Sequence, residues 1–246
     1  MKIGIISGAS SGIGKSIATE LDHRNLDQLW LIGRNEERLK NLSNTLDTDT
    51  RLFPLNLADK SSYEAIASAL QECGAQVEYL VLSAGVGYNG AFRNVSLEQI
   101  DSMIDVNCTA LVSLTRTTLP YIPSGGKIIN IASGAGFLPQ PYFAVYAATK
   151  SFVISFSKGL RYELKKKKIK VCAVCPGPVD TEFFAGLENV KEYKKKYLIS
   201  PQRVAVGSLK AAERGKAIYS PTFSMKAVHL MSKILPSSLL AQIYKE

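Results

Sequence analysis

Short apolar runs alternate along the chain with longer segments whose apolar residues recur every three or four positions. The short runs are typical of buried strands, and the longer segments are typical of amphipathic helices. Strands are predicted at 2–7, 28–32, 51–55, 77–82, 127–131, 170–174 and 217–220. Helices are predicted after the first glycine loop and at 35–46, 59–73, 96–119, 143–165 and 204–212. Repeated strand and helix units imply an α/β fold with helices on both faces of a parallel sheet.

Length and composition favour one domain. The 246 residues are 46% hydrophobic, enough for a substantial core, and we expect a single domain over residues 1–246. No apolar run approaches the about 18–20 residues of a membrane-spanning helix. The first strand begins at once, without a signal-peptide pattern. These features predict a soluble, cytoplasmic protein.

The cysteines and histidines suggest no metal site and no disulfide framework. Four cysteines, at 73, 108, 172 and 175, are few for a chain of this length, and we expect them to be reduced. Cys172 and Cys175 form a C-x-x-C motif, which raises a redox or zinc alternative. They lie in the strand-like stretch KVCAVCPG without a second ligand pair, so core packing is the preferred interpretation. His23 and His229 are isolated and receive no role.

The formal net charge of +9 is concentrated in two lysine runs, at 165–168 and 191–196. The first closes a predicted helix, where cations complement the helix dipole. The second lies in residues 182–200, which we expect to form a substrate lid, and attraction of an anionic substrate is the alternative to a solvated surface. No motif for nucleic-acid binding is present, so no nucleic-acid partner is predicted.

A glycine loop joins the first strand to the first helix. Gly8, Gly12 and Gly14 lie in SGASSGIG at 7–14, a variant of the usual dinucleotide-binding spacing. Glycine lets the backbone turn tightly and approach a diphosphate, while the N–H groups that open the helix offer an anion site. A simple strand-to-helix turn is the alternative.

The second strand ends in Gly33 and Arg34, where proteins that select NAD usually place an acidic residue for the ribose hydroxyl. Arg34 could instead hold a ribose 2′-phosphate in a bidentate manner, which indicates NADP(H) as the cofactor. A solvated arginine is the alternative, because Glu36 and Glu37 are near enough in sequence to compete for it.

Tyr146 and Lys150 lie four residues apart in a predicted helix and therefore share one face. A tyrosine titrates near pH ~10 in water, and a neighbouring cation lowers this pKa towards neutrality. Ser133 follows the strand at 127–131, at the carboxyl edge where open α/β sheets bind ligands. Its hydroxyl could hold a substrate oxygen while Tyr146 exchanges a proton.

Several short motifs occur in one order along the chain. They are SGASSGIG at 7–14, SAG at 83–85, Asn107 in DVNCTA, Ser133 thirteen residues before Tyr146, YAATK at 146–150, and PGPVDT at 176–181. With this set, residues 2–220 resemble the short-chain dehydrogenase/reductase family, in its compact single-domain branch of about 250 residues. The resemblance implies a Rossmann-like doubly wound parallel sheet of about seven strands in the order 3-2-1-4-5-6-7.

The resemblance also implies roles for individual residues. Tyr146 would be the catalytic acid/base, and Lys150 would lower its pKa and hold the nicotinamide ribose. Ser133 would bind the reacting carbonyl, and Asn107 would help to position a water in the proton relay. The implied contacts to the cofactor are Gly8, Ser10, Ser11, Gly12, Ile13, Gly14, Arg34, Asn56, Leu57, Ala84, Gly85, Tyr146, Lys150, Pro176, Gly177, Val179 and Thr181.

Three features depart from the family pattern. Asn56 stands where an aspartate usually contacts the adenine, Leu82 and Ser83 stand where two asparagines are usual, and Ser7 replaces a common threonine. They bear on the adenine contacts and on the bracing of the central strand. The hydride-transfer centre is unaffected.

The loops expected to roof the active site are apolar. Their apolar residues are Val86, Tyr88, Phe92, Phe137, Leu138, Pro139, Tyr142, Phe143, Pro178, Val179, Phe183 and Phe184. This composition favours a small hydrophobic carbonyl or alcohol substrate over a sugar, with mutual packing of the loops as the alternative. We therefore predict an NADP(H)-dependent carbonyl reductase or alcohol dehydrogenase. The second hypothesis is a nucleotide-binding regulatory protein of the same fold with little activity.

Two further expectations concern surfaces. The helices at 96–119 and 143–165 are dimerisation elements in the family, and Phe152, Phe156 and Leu160 recur at helical spacing, so a homodimer or homotetramer is expected. The tail at 222–246 predicts two short amphipathic helices, the first carrying Val228 and Met231 with Ile234 and Leu235, and the second following Pro236. We favour a packed lid or a subunit contact for this tail over contact with a membrane.

Overall fold

A computed structural model describes residues 1–187 and 197–236 of the chain. Its sheet contains seven strands, all paired in parallel, in the order β3-β2-β1-β4-β5-β6-β7. The strands are β1 (Lys2–Ser7), β2 (Gln28–Gly33), β3 (Thr50–Pro54), β4 (Gln76–Leu82), β5 (Lys127–Ile131), β6 (Lys170–Val174) and β7 (Ile218–Tyr219). The Rossmann-like fold and the strand order predicted from the sequence are therefore confirmed.

Helices connect successive strands. They are α1 (Gly12–Leu21), α2 (Glu36–Ser43), α3 (Ser61–Cys73), α4 (Leu97–Ile104), α5 (Ala110–Thr118), α6 (Ala144–Glu163), α7 (Glu182–Ala185), α8 (Pro201–Glu213) and α9 (Phe223–Ile234). Short 3₁₀ turns occupy Phe92–Asn94, Leu119–Tyr121, Gly134–Phe137 and Lys165–Lys167. Within the described residues, no helix is both long enough and apolar enough to cross a lipid bilayer.

The core lies in two apolar layers, one on each face of the sheet. Ile3 and Ile5 of β1 belong to one layer, and Ile6 belongs to the other, because successive strand residues point to opposite faces. Every residue of β2 from Leu29 to Gly33 is buried. This burial explains why the strands are apolar runs rather than alternating sequences, since both faces of a parallel sheet are covered.

The direction of strand addition reverses between β1 and β4. The chain builds outward from β1 to β3 on one side and from β4 to β7 on the other, and Ser7 pairs with Leu82 at the end of the shared ladder. The connections leave a crevice at the carboxyl ends of the strands where the order reverses. The candidate site lies in this crevice.

The structure differs from the sequence-based expectations in two elements. The helix predicted at 96–119 is divided into α4 and α5 by a π turn at Asp105–Thr109, and the last strand is limited to Ile218–Tyr219. The first predicted tail helix is present as α9. The second tail helix and the lysine run at 191–196 lie outside the described residues.

Candidate active site

The glycine loop follows β1 and passes directly against β4. Gly8 has φ +68°, and a Cβ there would lie 2.8 Å from the backbone nitrogen of Ala84. A Cβ on Gly14 would lie 2.2 Å from the carbonyl oxygen of Gly8. Only glycine fits at these two positions, because one needs a left-handed backbone and the other needs contact between backbones. The loop is thereby held at the amino end of α1.

One large cavity, of about 880 Å³, extends from this loop along the carboxyl edge of the sheet. At one end, here called the loop end, its wall includes Gly8, Ser10, Ser11, Gly12, Ile13, Arg34, Asn56 and Leu57. At the other end, here called the tyrosine end, it includes Ser133, Tyr146, Lys150, Phe183, Phe184, Leu187, Met225 and Val228. The cavity therefore joins a polar backbone cradle to an apolar chamber.

Ser133 and Tyr146 meet at the tyrosine end. Ser133 follows β5 directly, and its Oγ accepts a hydrogen bond of 3.1 Å from the backbone N–H of Ala135. Tyr146 lies in the first turn of α6, is 7% exposed and hydrogen-bonds with Ser133. Its ring stacks on Phe143, with 4.3 Å between the ring centroids, and contacts Phe183 at 5.5 Å. The phenol is thus fixed in orientation with its oxygen beside a second hydroxyl.

Lys150 lies one turn further along α6 and is 5% exposed. Its Nζ donates a hydrogen bond of 3.0 Å to the carbonyl oxygen of Ile131 at the end of β5. The same atom lies 5.6 Å from the centroid of the Tyr146 ring. The i,i+4 spacing therefore brings the two side chains to one face, as the sequence predicts.

Burial shifts the pKa values of these two groups in opposite directions. It raises the pKa of Tyr146 to about 12, and the hydrogen bond with Ser133 opposes this rise only in part. Burial also lowers the pKa of Lys150 to about 8. The sequence predicts that Lys150 lowers the Tyr146 pKa, but desolvation of the phenolate is the largest influence on this pKa in the structure, and the net shift is upward. At neutral pH the site therefore holds a protonated phenol beside a buried ammonium.

Asn107 does not line the cavity and lies behind its wall, in the π turn. Its Oδ1 accepts a bond of 2.9 Å from the N–H of Val86. Its Nδ2 donates to the carbonyl oxygen of Val86 at 2.8 Å and to Thr149 Oγ1 at 3.0 Å. Thr149 Oγ1 in turn donates to the carbonyl oxygen of Tyr146 at 2.8 Å. Asn107 thus connects the loop after β4 to the first turn of α6, which carries Tyr146.

Thr149 is the residue of this network that sequence reasoning missed. A hydroxyl three residues after Tyr146, on the buried face of α6, was the available signal. Gly14 also lies outside the cavity wall, where its absent side chain permits the contact with Gly8. The other predicted cofactor contacts all lie in the wall, and their roles stay predictions.

The loop end fits a dinucleotide. Ser11 is the N-cap residue of α1, yet within the described chain its side chain makes no capping bond with the helix. The first N–H groups of α1 are therefore left for another acceptor, and the positive end of the helix dipole favours an anion. These features match a diphosphate at the loop and a ring at the tyrosine end.

Comparison with known proteins decides the family. The family model described as short chain dehydrogenase matches residues 2–192. The chain belongs to the short-chain dehydrogenase/reductase family. Its activity class is that of an oxidoreductase acting on the pair of an alcohol carbon and a carbonyl carbon.

Relatives and solved structures agree with this membership. An uncharacterized oxidoreductase of Staphylococcus epidermidis is 35% identical over 189 residues, which are 76% of this chain and 82% of that protein. One from Staphylococcus aureus strain USA300 is 33% identical over 220 residues, 88% of this chain and 93% of that protein. A short-chain dehydrogenase from Sphingobium yanoikuyae, solved in complex with NADPH, superposes with a TM-score of 0.81 at 27% identity, covering 96% of this chain and 98% of that one.

One departure from the usual short-chain dehydrogenase pattern is compensated within the structure. Ser7 stands at the end of β1, and its Oγ accepts bonds from the N–H groups of Ser83 at 3.1 Å and of Ala84 at 3.2 Å. The Ser7 hydroxyl thus braces the end of β1 against the segment that follows β4, where the family usually has asparagines. One serine oxygen is enough for this, because it accepts both bonds.

The apolar roof of this short-chain dehydrogenase is smaller than predicted. Val86, Phe143, Pro178, Val179, Phe183 and Phe184 line the cavity. Phe92 is 66% exposed and Tyr142 is 54% exposed, and both border a separate, much smaller pocket with Tyr88. The segment Phe137–Pro139 lies outside the wall. Met225 and Val228 of α9 supply apolar surface in its place.

Proposed function

We propose that this protein is an NADP(H)-dependent carbonyl reductase or alcohol dehydrogenase that acts on a hydrophobic ketone and its secondary alcohol. The observation that carries the proposal is the hydrogen-bonded pair of Ser133 and Tyr146, with Lys150 buried beside it, in the wall of a cavity whose far end is a glycine cradle. Reduction of a ketone needs a hydrogen-bond donor and a proton donor at the same carbonyl oxygen, and Ser133 and Tyr146 provide both.

Tyr146 is proposed as the acid in the direction of reduction. Its raised pKa keeps the phenol protonated at neutral pH, so it can donate a proton to the oxygen of a carbonyl as that oxygen gains negative charge. The bound cofactor supplies the hydride to the carbon. Ser133 donates a hydrogen bond to the same oxygen and orients the carbonyl. In the reverse direction the phenolate accepts the proton of the alcohol.

Lys150 is proposed to hold the cofactor ribose and to stabilise the phenolate. One of its three N–H donors is used by Ile131, which leaves two for ribose hydroxyls. An ammonium in a low-dielectric wall interacts strongly with a negative charge that develops on Tyr146. Its effect on the tyrosine is therefore greatest when the phenol has lost its proton.

Arg34 supports the choice of NADP(H). Its exposed guanidinium borders the loop end of the cavity, and the salt bridges of the described residues do not include it. Glu36, a predicted competitor, instead pairs with Lys40 at 2.7 Å. A planar, unengaged guanidinium at this place suits a ribose 2′-phosphate.

The test follows NADPH absorbance against aliphatic, cyclic, steroid and acyl-thioester ketones, with NADH as the comparison cofactor. We expect turnover with one hydrophobic class and a higher kcat/KM with NADPH than with NADH. Arg34→Asp should reduce or reverse that preference by about tenfold or more, because it replaces the phosphate partner with a repelling charge. Arg93→Asp, an exposed charge reversal outside the cavity, should leave the preference unchanged.

Two results would count against the proposal. Equal use of NADPH and NADH by the unmodified protein would make Arg34 a surface residue and remove the choice of cofactor. Tight NADPH binding without turnover of any ketone class would favour the nucleotide-binding regulatory protein.

A further inference from the structure

The outer face of α9 is an uncovered apolar stripe. The outer stripe consists of Phe223, Leu230, Met231 and Ile234, which are 84%, 60%, 38% and 70% exposed. These positions are i, i+7, i+8 and i+11 of one helix, so they lie along a single side. Isolated exposed apolar residues are ordinary, but a continuous row over three turns marks an interaction surface.

The opposite face of α9 is already engaged, so the helix cannot turn its stripe inward without losing contacts. Met225 lies against Gly134 and Gly177: a Cβ added to Gly134 would be 2.4 Å from its sulfur, and one added to Gly177 would be 3.3 Å away. The ring of His229 stacks on Phe137 with 4.4 Å between centroids. The outward position of the stripe therefore follows from packing.

The outer stripe is continuous with the mouth of the cavity. Phe223 belongs to the stripe and also lines the cavity. Two further aromatic side chains of the cavity wall, Phe183 and Tyr197, are 36% and 69% exposed. An apolar surface that covers the stripe would therefore also meet the opening through which a hydrophobic molecule enters.

The charges around the stripe select a negatively charged surface. Lys226 and Lys233 are exposed and seven residues apart, so they border the stripe on one side, and no acidic residue occurs between Thr222 and Pro236. The whole chain carries a net charge of +9. An apolar row flanked by lysines is the pattern of a helix that lies in the plane of a membrane interface.

We propose that the outer stripe docks on an anionic lipid surface, with Leu230 and Ile234 inserted among the acyl chains and the two lysines at the headgroups. A second copy of the chain is a poorer occupant. An antiparallel two-fold pairing of stripes would bring the lysines of one copy towards those of the other, and each copy carries a net charge of +9, so like charges would oppose the pairing. The sequence alone favours a packed lid or a subunit contact for this segment. Met225 and Val228 on the inner face of α9 agree with a lid, and the outer stripe is the part of the helix that we assign to lipid.

The test measures co-sedimentation of the full-length protein with vesicles of phosphatidylglycerol and phosphatidylcholine, and with vesicles of phosphatidylcholine alone. The variants are Leu230→Ser with Ile234→Ser, Lys226→Gln with Lys233→Gln, and Leu97→Ser. Leu97 is 73% exposed on α4 and serves as the matched control. Neither Leu230 nor Ile234 lines the cavity, so NADPH binding and the melting temperature report whether each variant is folded.

We expect binding to the anionic vesicles, a loss of about tenfold or more in the double serine variant, and unchanged binding in Leu97→Ser. The double glutamine variant should weaken binding to anionic vesicles, and added salt should do the same. Three results would overturn the proposal. The folded double serine variant could bind anionic vesicles as well as the unmodified protein does, or Leu97→Ser could lose as much binding as the double serine variant. The third such result is that the unmodified protein binds neutral vesicles as well as anionic ones. Dissociation of an oligomer by the double serine variant, without vesicle binding by the unmodified protein, would assign the stripe to a second copy. These outcomes do not depend on the proposed catalysis.

Discussion

At the scale of single residues, Tyr146 and Lys150 are buried together although burial disfavours the charged form of each. The pKa of Tyr146, about 12, lies further from neutrality than the ordinary tyrosine value. The pKa of Lys150, about 8, lies closer to neutrality than the ordinary lysine value. The phenol therefore keeps its proton at pH 7. Burying these two groups costs stability, which is common where a functional site requires desolvated charges.

Tyr146→Phe should abolish turnover while NADPH still binds. The ring keeps its stacking with Phe143 and Phe183, and only the proton donor is lost. We expect kcat to fall by about a thousandfold or more, measured by NADPH absorbance, with the NADPH dissociation constant nearly unchanged. Tyr162→Phe, which is 79% exposed further along the same helix, is the control. A near-normal kcat in Tyr146→Phe would refute the role of the phenol.

Lys150→Met should inactivate the protein and yet stabilise it at neutral pH. The ammonium is 5% exposed and, within the described residues, donates a hydrogen bond to the carbonyl oxygen of Ile131. Removing it should raise the free energy of unfolding by about 2 kcal/mol, once the loss of that bond is subtracted. Thermal melting measures the gain, and Lys158→Met, an exposed position on α6, should change the melting temperature little.

The stabilisation expected for Lys150→Met should depend on pH, and the direction of this dependence follows from the Lys150 pKa. The pKa of Lys150 is about 8 in the folded protein and near its ordinary value of 10.5 when unfolded. Below pH 8 both states hold the proton, and the burial penalty is fully present. Between about pH 8 and 10.5 the unfolded state binds more protons, so the unmodified protein gains stability as pH rises. The difference in free energy of unfolding between Lys150→Met and the unmodified protein should therefore decrease from about pH 8 to about pH 10.5. An increase over this range would contradict a lowered Lys150 pKa in the folded protein.

At the scale of elements, the π turn between α4 and α5 places Asn107 behind the wall of the cavity. An extra residue in one turn rotates the helix that follows, and such turns occur often at functional sites. Thr149 then links Asn107 to the carbonyl oxygen of Tyr146. These hydrogen bonds hold the π turn in a fixed position relative to α6.

Thr149→Val should lower kcat more than it changes the KM for NADPH. It keeps the shape of the side chain but leaves the Nδ2 of Asn107 without one of its buried partners, at a cost of about 1–3 kcal/mol. We expect a decrease of about tenfold in kcat, and recovery in Thr149→Ser, which restores the hydroxyl. Steady-state kinetics and the melting temperature should be measured together. A fall in melting temperature with unchanged kcat would make Thr149 a structural residue only.

The strands and most helices could be predicted because burial on both faces of a parallel sheet leaves a clear apolar pattern. The π turn could not, because it depends on the contacts of Asn107 with Val86, which are distant in sequence. The orientation of α9 could not be predicted either. Its helix is apolar on two sides, so Val228 faces the cavity while Met231 and Ile234 face solvent, and periodicity alone does not say which side packs.

The candidate site shows the same division between local pattern and tertiary contact. Tyr146, Lys150 and Ser133 follow from helical spacing and from the position of a strand end. The direction of the Tyr146 pKa shift did not follow from spacing, because it depends on how completely the surrounding wall excludes water.

At the scale of the whole molecule, association is predicted through α6. Leu160 is buried within its own subunit, but Phe152 is 43% exposed and stacks on Phe156 with 6.2 Å between ring centroids. Sedimentation at micromolar concentration should detect a dimer or tetramer, and Phe152→Glu should shift it towards monomer because a charge is costly in an apolar interface. Phe92→Glu, 66% exposed elsewhere, should not. An unmodified protein that sediments only as a monomer would exclude this contact.

The wall of the cavity is drawn from both ends of the chain, from Gly8 in the first loop to Val228 in α9. Proteolytic trimming from the carboxyl terminus as far as residue 220 would remove Met225 and Val228, but it would spare all seven strands and the whole loop end. Such a fragment should still bind the nucleotide and should lose one side of the apolar chamber proposed for the ketone. Under the proposed function, partial degradation in a cell would then leave a protein that sequesters the cofactor without turning over substrate, before the sheet itself is lost.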